Sequence, residues 1–254
     1  IVKMNKLSDR LNRLSYSQTF VMSNKARDMK AAGIDVISLT LGEPDFDVPD
    51  NIKKAAFDAI NENYSHYSPV PGFLELRKAI VNKLKRDNNL DYKPTQICVA
   101  NGAKQNIFNV LAALVNEGDE VILPAPYWVS YDEMVKINGG VSVFIETNID
   151  TEFKMTAEQL EAAITPKTKA VLYSSPCNPS GSYYTREELE KIANVMAKYP
   201  DVVIISDEIY EFINYDGEHV SIAEFPQVFN QTAVINGMSK AFAMTGWRIG
   251  YSAC

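Results

Sequence analysis

The sequence predicts an α/β fold built on a mainly parallel sheet with helices on both faces. Three observations predict it. Strand-like and helix-like segments alternate from about residue 50 to the end of the chain. The run Val202–Ser206 is continuously apolar up to Ser206, the pattern of a strand buried on both faces. The residues able to carry chemistry fall just after strand-like runs, where ligands bind in open α/β sheets.

The elements follow in order. Ile52, Ala55, Ala56, Ala59 and Ile60 recur on one helical face behind Asp50, a candidate N-cap. Leu76, Ile80 and Leu84 mark a second helix, and Ile97–Ala100 is a short strand that Asn101-Gly102 breaks. Ile107, Val110, Leu111 and Leu114 predict the next helix. Strands at Glu120–Leu123 and Val141–Ile145 flank a helix predicted over Tyr127–Ile137. Thr156 with Gln159 and Thr185 with Glu188 form capping boxes, which start two helices on either side of a strand at Lys169–Ser175. Thr232–Ile235 and Arg248–Ser252 complete the strands. Alternation of this kind implies right-handed crossovers.

Composition narrows the function. The chain has 254 residues, 46% of them hydrophobic, enough for a sizeable core. Its net charge of -7 argues against a nucleic-acid surface, which needs clustered Lys and Arg. Cys98, Cys177 and Cys254 are far apart without a C-x-x-C pair, so no disulfide framework or zinc site is expected and a reducing, cytoplasmic setting is. His66 and His219 have no metal-ligand spacing between them, and no metal is expected. No run of 18 apolar residues predicts a membrane span. Met4 suggests that residues 1–3 are a remnant ahead of the natural start.

Five segments after strands carry the candidate chemistry. Asn101-Gly102-Ala103-Lys104 opens a helix, where small residues and free N–H groups suit an anion, although such a turn is often only structural. It is neither a G-x-G-x-x-G nor a Walker A loop, so a dinucleotide or triphosphate is not the natural ligand. Pro124-Ala125-Pro126-Tyr127-Trp128 is a rigid loop whose Trp128 could stack on a ring or simply pack. Pro176-Cys177-Asn178-Pro179 is a stiff loop presenting Asn178. Asp207, at the end of a buried strand, needs a cation or a donor, and Tyr210 follows it. Most lysines are solvated surface groups, but the small and apolar neighbours of Lys240 can desolvate its amine and lower its pKa, which a Schiff-base lysine needs.

Seven pieces in order resemble the class I/II aminotransferases, which depend on pyridoxal 5'-phosphate (PLP), and especially the bacterial-type aspartate aminotransferase group. They are LGEPDF (Leu41–Phe46), YSPVPGFLELR (Tyr67–Arg77), NGAKQ (Asn101–Gln105), PAPYWVSY (Pro124–Tyr131), PCNPSG (Pro176–Gly181), SDEIY (Ser206–Tyr210) and SKAFAMTGWRIGY (Ser239–Tyr251). The resemblance implies the large-domain fold of PLP-dependent transferases over residues 48–254, incomplete at its C-terminal end. Residues 1–47 would be an N-terminal arm with part of a small domain.

It also implies roles. Lys240 would hold PLP as a Schiff base and shuttle a proton at the substrate Cα. Asp207 would pair with the pyridine nitrogen, and Tyr210 and Asn178 would donate to the ring oxygen. Trp128 would stack on the ring and, with Gly42 and Asn178, meet the substrate. The backbone of Ala103 and Lys104, with Arg248, would hold the phosphate. Tyr67 would reach the phosphate of a neighbouring subunit, implying a homodimer with shared sites. The implied reaction is ping-pong transfer of an amino group between an L-amino acid, aspartate by best guess, and a 2-oxo acid, 2-oxoglutarate.

Two departures from the family stand out. Gly237 occupies a position, three residues before the lysine, where the family often has a serine that contacts the phosphate. Family chains also continue beyond the Gly-Trp-Arg segment into a part that carries the arginine for the substrate carboxylate. The resemblance therefore implies an incomplete polypeptide. A PLP-dependent C–S lyase or other Cα chemistry shares the same lysine motif. An inactive scaffold and a nucleotide-binding module are the non-transaminase alternatives.

Overall fold

In the computed structural model, which describes residues 7–16 and 18–254, seven strands form one sheet. They are β1 (Ile97–Ala100), β2 (Glu120–Ala125), β3 (Val141–Glu146), β4 (Thr168–Ser174), β5 (Val203–Asp207), β6 (Thr232–Gly237) and β7 (Gly250–Ala253). Their order is β1-β7-β6-β5-β4-β2-β3. The five strands β6-β5-β4-β2-β3 pair in parallel, and β7 runs antiparallel to both of its neighbours. The expectation about residues 1–3 lies outside the described residues.

Eight α-helices accompany the sheet among the described residues: α1 (Asp9–Asn12), α2 (Gln18–Ala31), α3 (Asp50–Asn61), α4 (Leu74–Asn88), α5 (Ala103–Leu114), α6 (Ser130–Ile137), α7 (Ala157–Ala163) and α8 (Arg186–Met196). Both predicted capping boxes form. Thr156 Oγ1 accepts from the Gln159 N–H at 3.2 Å while Gln159 Oε1 accepts from the Thr156 N–H at 2.9 Å. Thr185 and Glu188 exchange the same pair of bonds at 3.3 and 2.8 Å. No helix among the described residues is long and apolar enough to cross a membrane.

The strands sort their side chains between two faces with a period of two. Val121, Leu123, Ala170, Leu172, Ile205 and Ile235 pack under α5 and α6 with Ile107, Leu111, Met134 and Val135. Ile122, Ile145, Val171 and Ile204 point the other way, against α7 and α8. Val234, Tyr251 and Ala253 meet Ile80 and Leu84 of α4 near the β1 edge. Helices therefore cover both faces, as expected.

Three local expectations need correction. Asp50 lies in the first turn of α3, and Pro49 takes the cap position. The carboxylate still faces the positive end of the helix there. Residues 127–129 are not helical, and α6 begins at Ser130 after the proline-bearing loop. β2 continues through Pro124 because β2 pairs with β4 only as far as Ile122, so the missing N–H of Pro124 breaks no bond on that side. The helices α1 and α2 were not foreseen, since α2 buries little beyond Ala26 and carries no clear apolar stripe.

Leu172 is completely buried in the layer between the sheet, α5 and α6. Leu172→Ala should lower the unfolding free energy by about 2–5 kcal/mol, the usual cost of such a cavity, as measured by urea denaturation.

Candidate functional site

The site begins with the direction in which β5 sends its last side chains. Ile205 points toward α5 and α6, so Asp207, two residues on, faces the same side. Asp207 is 3% exposed. Its Oδ2 accepts from the Tyr131 hydroxyl at 2.7 Å, and its Oδ1 accepts from the Ile209 N–H at 3.2 Å. Burial pushes the carboxyl up to about 6, against the lowering effect of these two donors. Tyr131 is itself fully buried, and burial followed by the Asp207 charge holds its hydroxyl well above the usual tyrosine value.

From Asp207 a circuit runs partly by contact and partly by the influence of one charge on the next. Trp128 meets Tyr131 edge to face, with centroids 5.5 Å apart. The Lys104 ammonium lies over the Trp128 ring, 5.1 Å from its centroid, and donates to Ser130 Oγ at 3.1 Å. Burial and then the neighbouring Arg248 charge lower the Lys104 pKa. Arg248 donates to the Asn101 carbonyl at 3.3 Å and to the Thr245 carbonyl at 2.7 Å. Its charge also acts on Lys240. The Lys240 amine stands 5.8 Å from the Tyr210 ring centroid, and the Tyr210 hydroxyl accepts from Asn178 Nδ2 at 3.5 Å. The Asp207 charge reaches Tyr210 and closes the circuit.

Two glycines permit this closure. Gly102 has φ +87, and a Cβ there would collide with the Arg248 guanidinium. A Cβ on Gly250 would collide with the backbone of Gly102 and Ala103. The start of α5 is therefore drawn tightly against β7. Ala243 and Arg248 adopt φ of +53 and +57, uncommon for non-glycine residues, and these two kinks turn the segment between Lys240 and β7.

The structure thus links Lys240, Asp207, Tyr210, Asn178, Trp128, Lys104 and Arg248 through bonds, ring contacts and charge effects, with Ala103 packed against Gly250 at the start of α5. Gly42 joins them from the N-terminal side, its carbonyl accepting from Lys240 Nζ at 2.5 Å. Tyr67 is not brought there. Its side chain is fully exposed. Tyr131 was missed in the sequence, although a tyrosine within the apolar stripe Tyr131, Met134, Val135 signals a buried hydroxyl in need of a partner.

Opposite Asp207, Glu208 points to the other face. Its carboxylate accepts from Ser221 Oγ at 2.7 Å and Ser206 Oγ at 3.0 Å, and meets His219 Nε2 at 3.1 Å. Glu211 beside it pairs with Lys83 of α4 and accepts from Asn236 Nδ2 at 2.7 Å. Glu208, Glu211 and His219 present ligand-type atoms within 4.8 Å of one another, a grouping invisible to histidine spacing. The Lys83 ammonium already supplies a cation to it. A separate cavity of about 150 Å³, lined in part by Ile80, Lys83, Phe212 and Phe242, lies between α4 and the segment after β6.

A sequence profile of the family described as aminotransferase class I and II matches residues 34–254. An aspartate aminotransferase from Bacillus sp. (strain YM-2) is 53% identical over 249 residues, covering 97% of this chain and 63% of that protein. A probable aspartate/prephenate aminotransferase from Rhizobium leguminosarum bv. phaseoli is 52% identical, covering 97% of this chain and 62% of that protein. Among solved structures, the aspartate aminotransferase from Rhizobium meliloti superposes with a TM-score of 0.94 at 44% identity, covering 98% of this chain and 62% of that one. The Thermus thermophilus aspartate aminotransferase with maleate gives 0.95 at 43% identity, covering 98% and 65%. The chain spans a little under two thirds of the length of these relatives.

Two measurements probe the site's electrostatics. Tyr131→Phe removes a donor to the Asp207 carboxylate and should raise that carboxyl further above about 6, as read from its 13C resonance against pH. For His219, burial lowers the pKa, but the Glu208 charge and hydrogen bond and the Glu211 charge outweigh it, so the imidazole lies above its usual value. A raised folded pKa stabilises fully below the unfolded value of about 6.5 and loses that contribution as pH rises through the folded value. Denaturation of the parent and His219→Gln should therefore differ most at low pH and converge at high pH.

Proposed function

The chain belongs to the family of class I and II aminotransferases, and from that membership we propose that it is the cofactor-bearing part of a PLP-dependent transaminase. The proposed substrates are an L-amino acid, aspartate foremost, and a 2-oxo acid such as 2-oxoglutarate. The observation that carries the proposal is the circuit of contacts and mutual charge effects that links an amine, a buried carboxylate and a pair of cations. The aspartate and aspartate/prephenate aminotransferases among its relatives support aspartate as the amino donor.

The residues fit the cofactor on their own chemistry. When bound, PLP supplies an aldehyde carbon that condenses with amines and a ring that withdraws electrons from the substrate Cα. Asp207 is a buried carboxylate whose only described partners are neutral donors, so it suits a cationic ring nitrogen. Tyr131 holds that carboxylate in place and favours its charged form, and so helps Asp207 keep a proton on the ring nitrogen. Arg248 and Lys104, with the free N–H groups at the start of α5, offer a place for a phosphate. Trp128 presents a flat face beside them. Tyr210 and Asn178, already in contact, can donate to a ring oxygen.

Lys240 carries the reaction's proton. Burial first, and then the Arg248 charge, lower its pKa, while Glu43 opposes them, so more of the amine is neutral and nucleophilic than in an ordinary lysine. That amine would be the group that takes up and holds the proton from the substrate Cα. The Gly42 carbonyl, 2.5 Å from the amine, accepts its hydrogen bond and orients it.

The assembly we propose is a homodimer in the cytoplasm. Tyr67 stands fully exposed, free to reach a neighbouring subunit, and Phe57, Ile60 and Val70 are also exposed apolar side chains that an interface would bury. The free thiols of Cys98, Cys177 and Cys254 suit a reducing compartment.

Absorbance spectroscopy of the chain with PLP tests the proposal. A visible band should form that Lys240→Ala lacks, and aspartate should convert it to the amine form with release of oxaloacetate. Asp207→Asn should cut turnover on the order of 100-fold. A band that persists in Lys240→Ala would overturn the assignment of the lysine, and release of ammonia instead of the amine form would redirect the chemistry to elimination.

A further inference from the structure

The segment Leu41–Phe46 crosses the site from the N-terminal side and is fastened there by two side-chain bonds. Lys240 Nζ donates to the Gly42 carbonyl at 2.5 Å, and the Thr245 hydroxyl donates to Glu43 Oε1 at 2.6 Å. These bonds join residues 198 and 202 positions apart, so they tie two distant segments. Both anchors on the far side, Lys240 and Thr245, lie in the same turn-rich loop after β6, which is bent by Ala243 at φ +53. Glu43 follows Gly42, its carboxylate is held by Thr245 in the loop that carries Lys240, and its charge acts on the amine without a contact ion pair among the described residues.

We propose that Glu43, fastened by Thr245, is a positioning residue that holds the loop of residues 41–46 over Lys240 and supplies the counter-charge to its amine. This rests on the reading of Lys240 as the cofactor amine. Besides the Gly42 carbonyl it bonds, that amine feels the charges of Glu43 from the N-terminal loop and Arg248 from its own loop, and it stands over the Tyr210 ring from the segment after β5. Burial and Arg248 disfavour the ammonium, and Glu43 is the carboxylate that opposes them. Without it, the ammonium would face a positive charge in a half-buried setting and the Gly42 carbonyl would lose its reason to stay. With it, the lowering of the amine's pKa by burial and Arg248 is partly offset, and the amine stays aimed at the Gly42 carbonyl. Glu43 touches no reacting atom and acts only through Lys240.

The test reads the amine directly in the chain without cofactor. Lysines are reductively methylated with 13C-formaldehyde, the Lys240 resonance is identified by its loss in Lys240→Arg, and its shift is followed against pH. Glu43→Gln keeps a hydrogen-bonding partner for Thr245 but removes the charge, and should lower the Lys240 midpoint by roughly half a pH unit, the scale of a partly exposed charge pair. Glu43→Asp should fall between the two. Thr245→Val keeps the charge but releases the loop, and should shift the midpoint in the same direction, with Thr245→Ser restoring the parent value. Identical titration of Lys240 in the parent and Glu43→Gln would overturn the proposal. A shift in Glu43→Gln with none in Thr245→Val would overturn the role given to Thr245. Failure of the chain to bind PLP would remove the proposed function while leaving this titration intact.

Discussion

The hydrogen bond from the Tyr131 hydroxyl to Asp207 solves the hardest local problem in this chain. A carboxylate at the end of a central strand, covered by helices on both sides, costs several kcal/mol unless its oxygens find donors. Here α6 delivers the hydroxyl to one oxygen and the backbone of Ile209 reaches the other. Two neutral donors satisfy the geometry without neutralising the charge. The carboxyl therefore remains raised to about 6 and ready for a cation. A lysine or arginine in place of Tyr131 would pair with Asp207 permanently and remove that readiness.

The next residue meets the same constraint differently. Glu208 faces the opposite side of the sheet and is satisfied by Ser206, Ser221 and His219, while neighbouring Glu211 pairs with Lys83. This second cluster carries its own cations and ties α4 and the segment after β5 to the sheet. Adjacent carboxylates thus serve different ends because a strand alternates its side chains. One is left open toward the site, and the other is closed inside the scaffold that holds the strand end still.

Close backbone approach supplies the remaining constraint. Gly250 of β7 lies so tightly against the backbone of Gly102 and Ala103 that it could not carry a Cβ, and Arg248 folds over Gly102 closely enough to exclude one there too. The cations of the site, the start of α5 and the loop bearing Lys240 are consequently one packed unit. Its cost is a pair of left-handed non-glycine residues, Ala243 and Arg248, of order 1–3 kcal/mol each. Strain of this kind persists where the surrounding structure over-determines it, as these contacts do.

The sequence by itself determined the sheet-and-helix alternation, both capping boxes, and the residues after strands that could do chemistry. Each of these is a local property: a period, a cap, or a residue type beside a strand end. It also marked Asp207 as a carboxylate in need of a partner and Lys240 as a desolvated amine. Only the tertiary structure decided the partners. Tyr131 and Asp207 are 76 residues apart, and Glu43 and Thr245 are 202 apart. No periodicity links such positions, because their meeting depends on strand order and on which helix lands over which strand. The antiparallel direction of β7 and the cluster of Glu208, Glu211, His219 and Lys83 were decided in the same way, since sheet pairing and the satisfaction of buried charge belong to the packed chain as a whole.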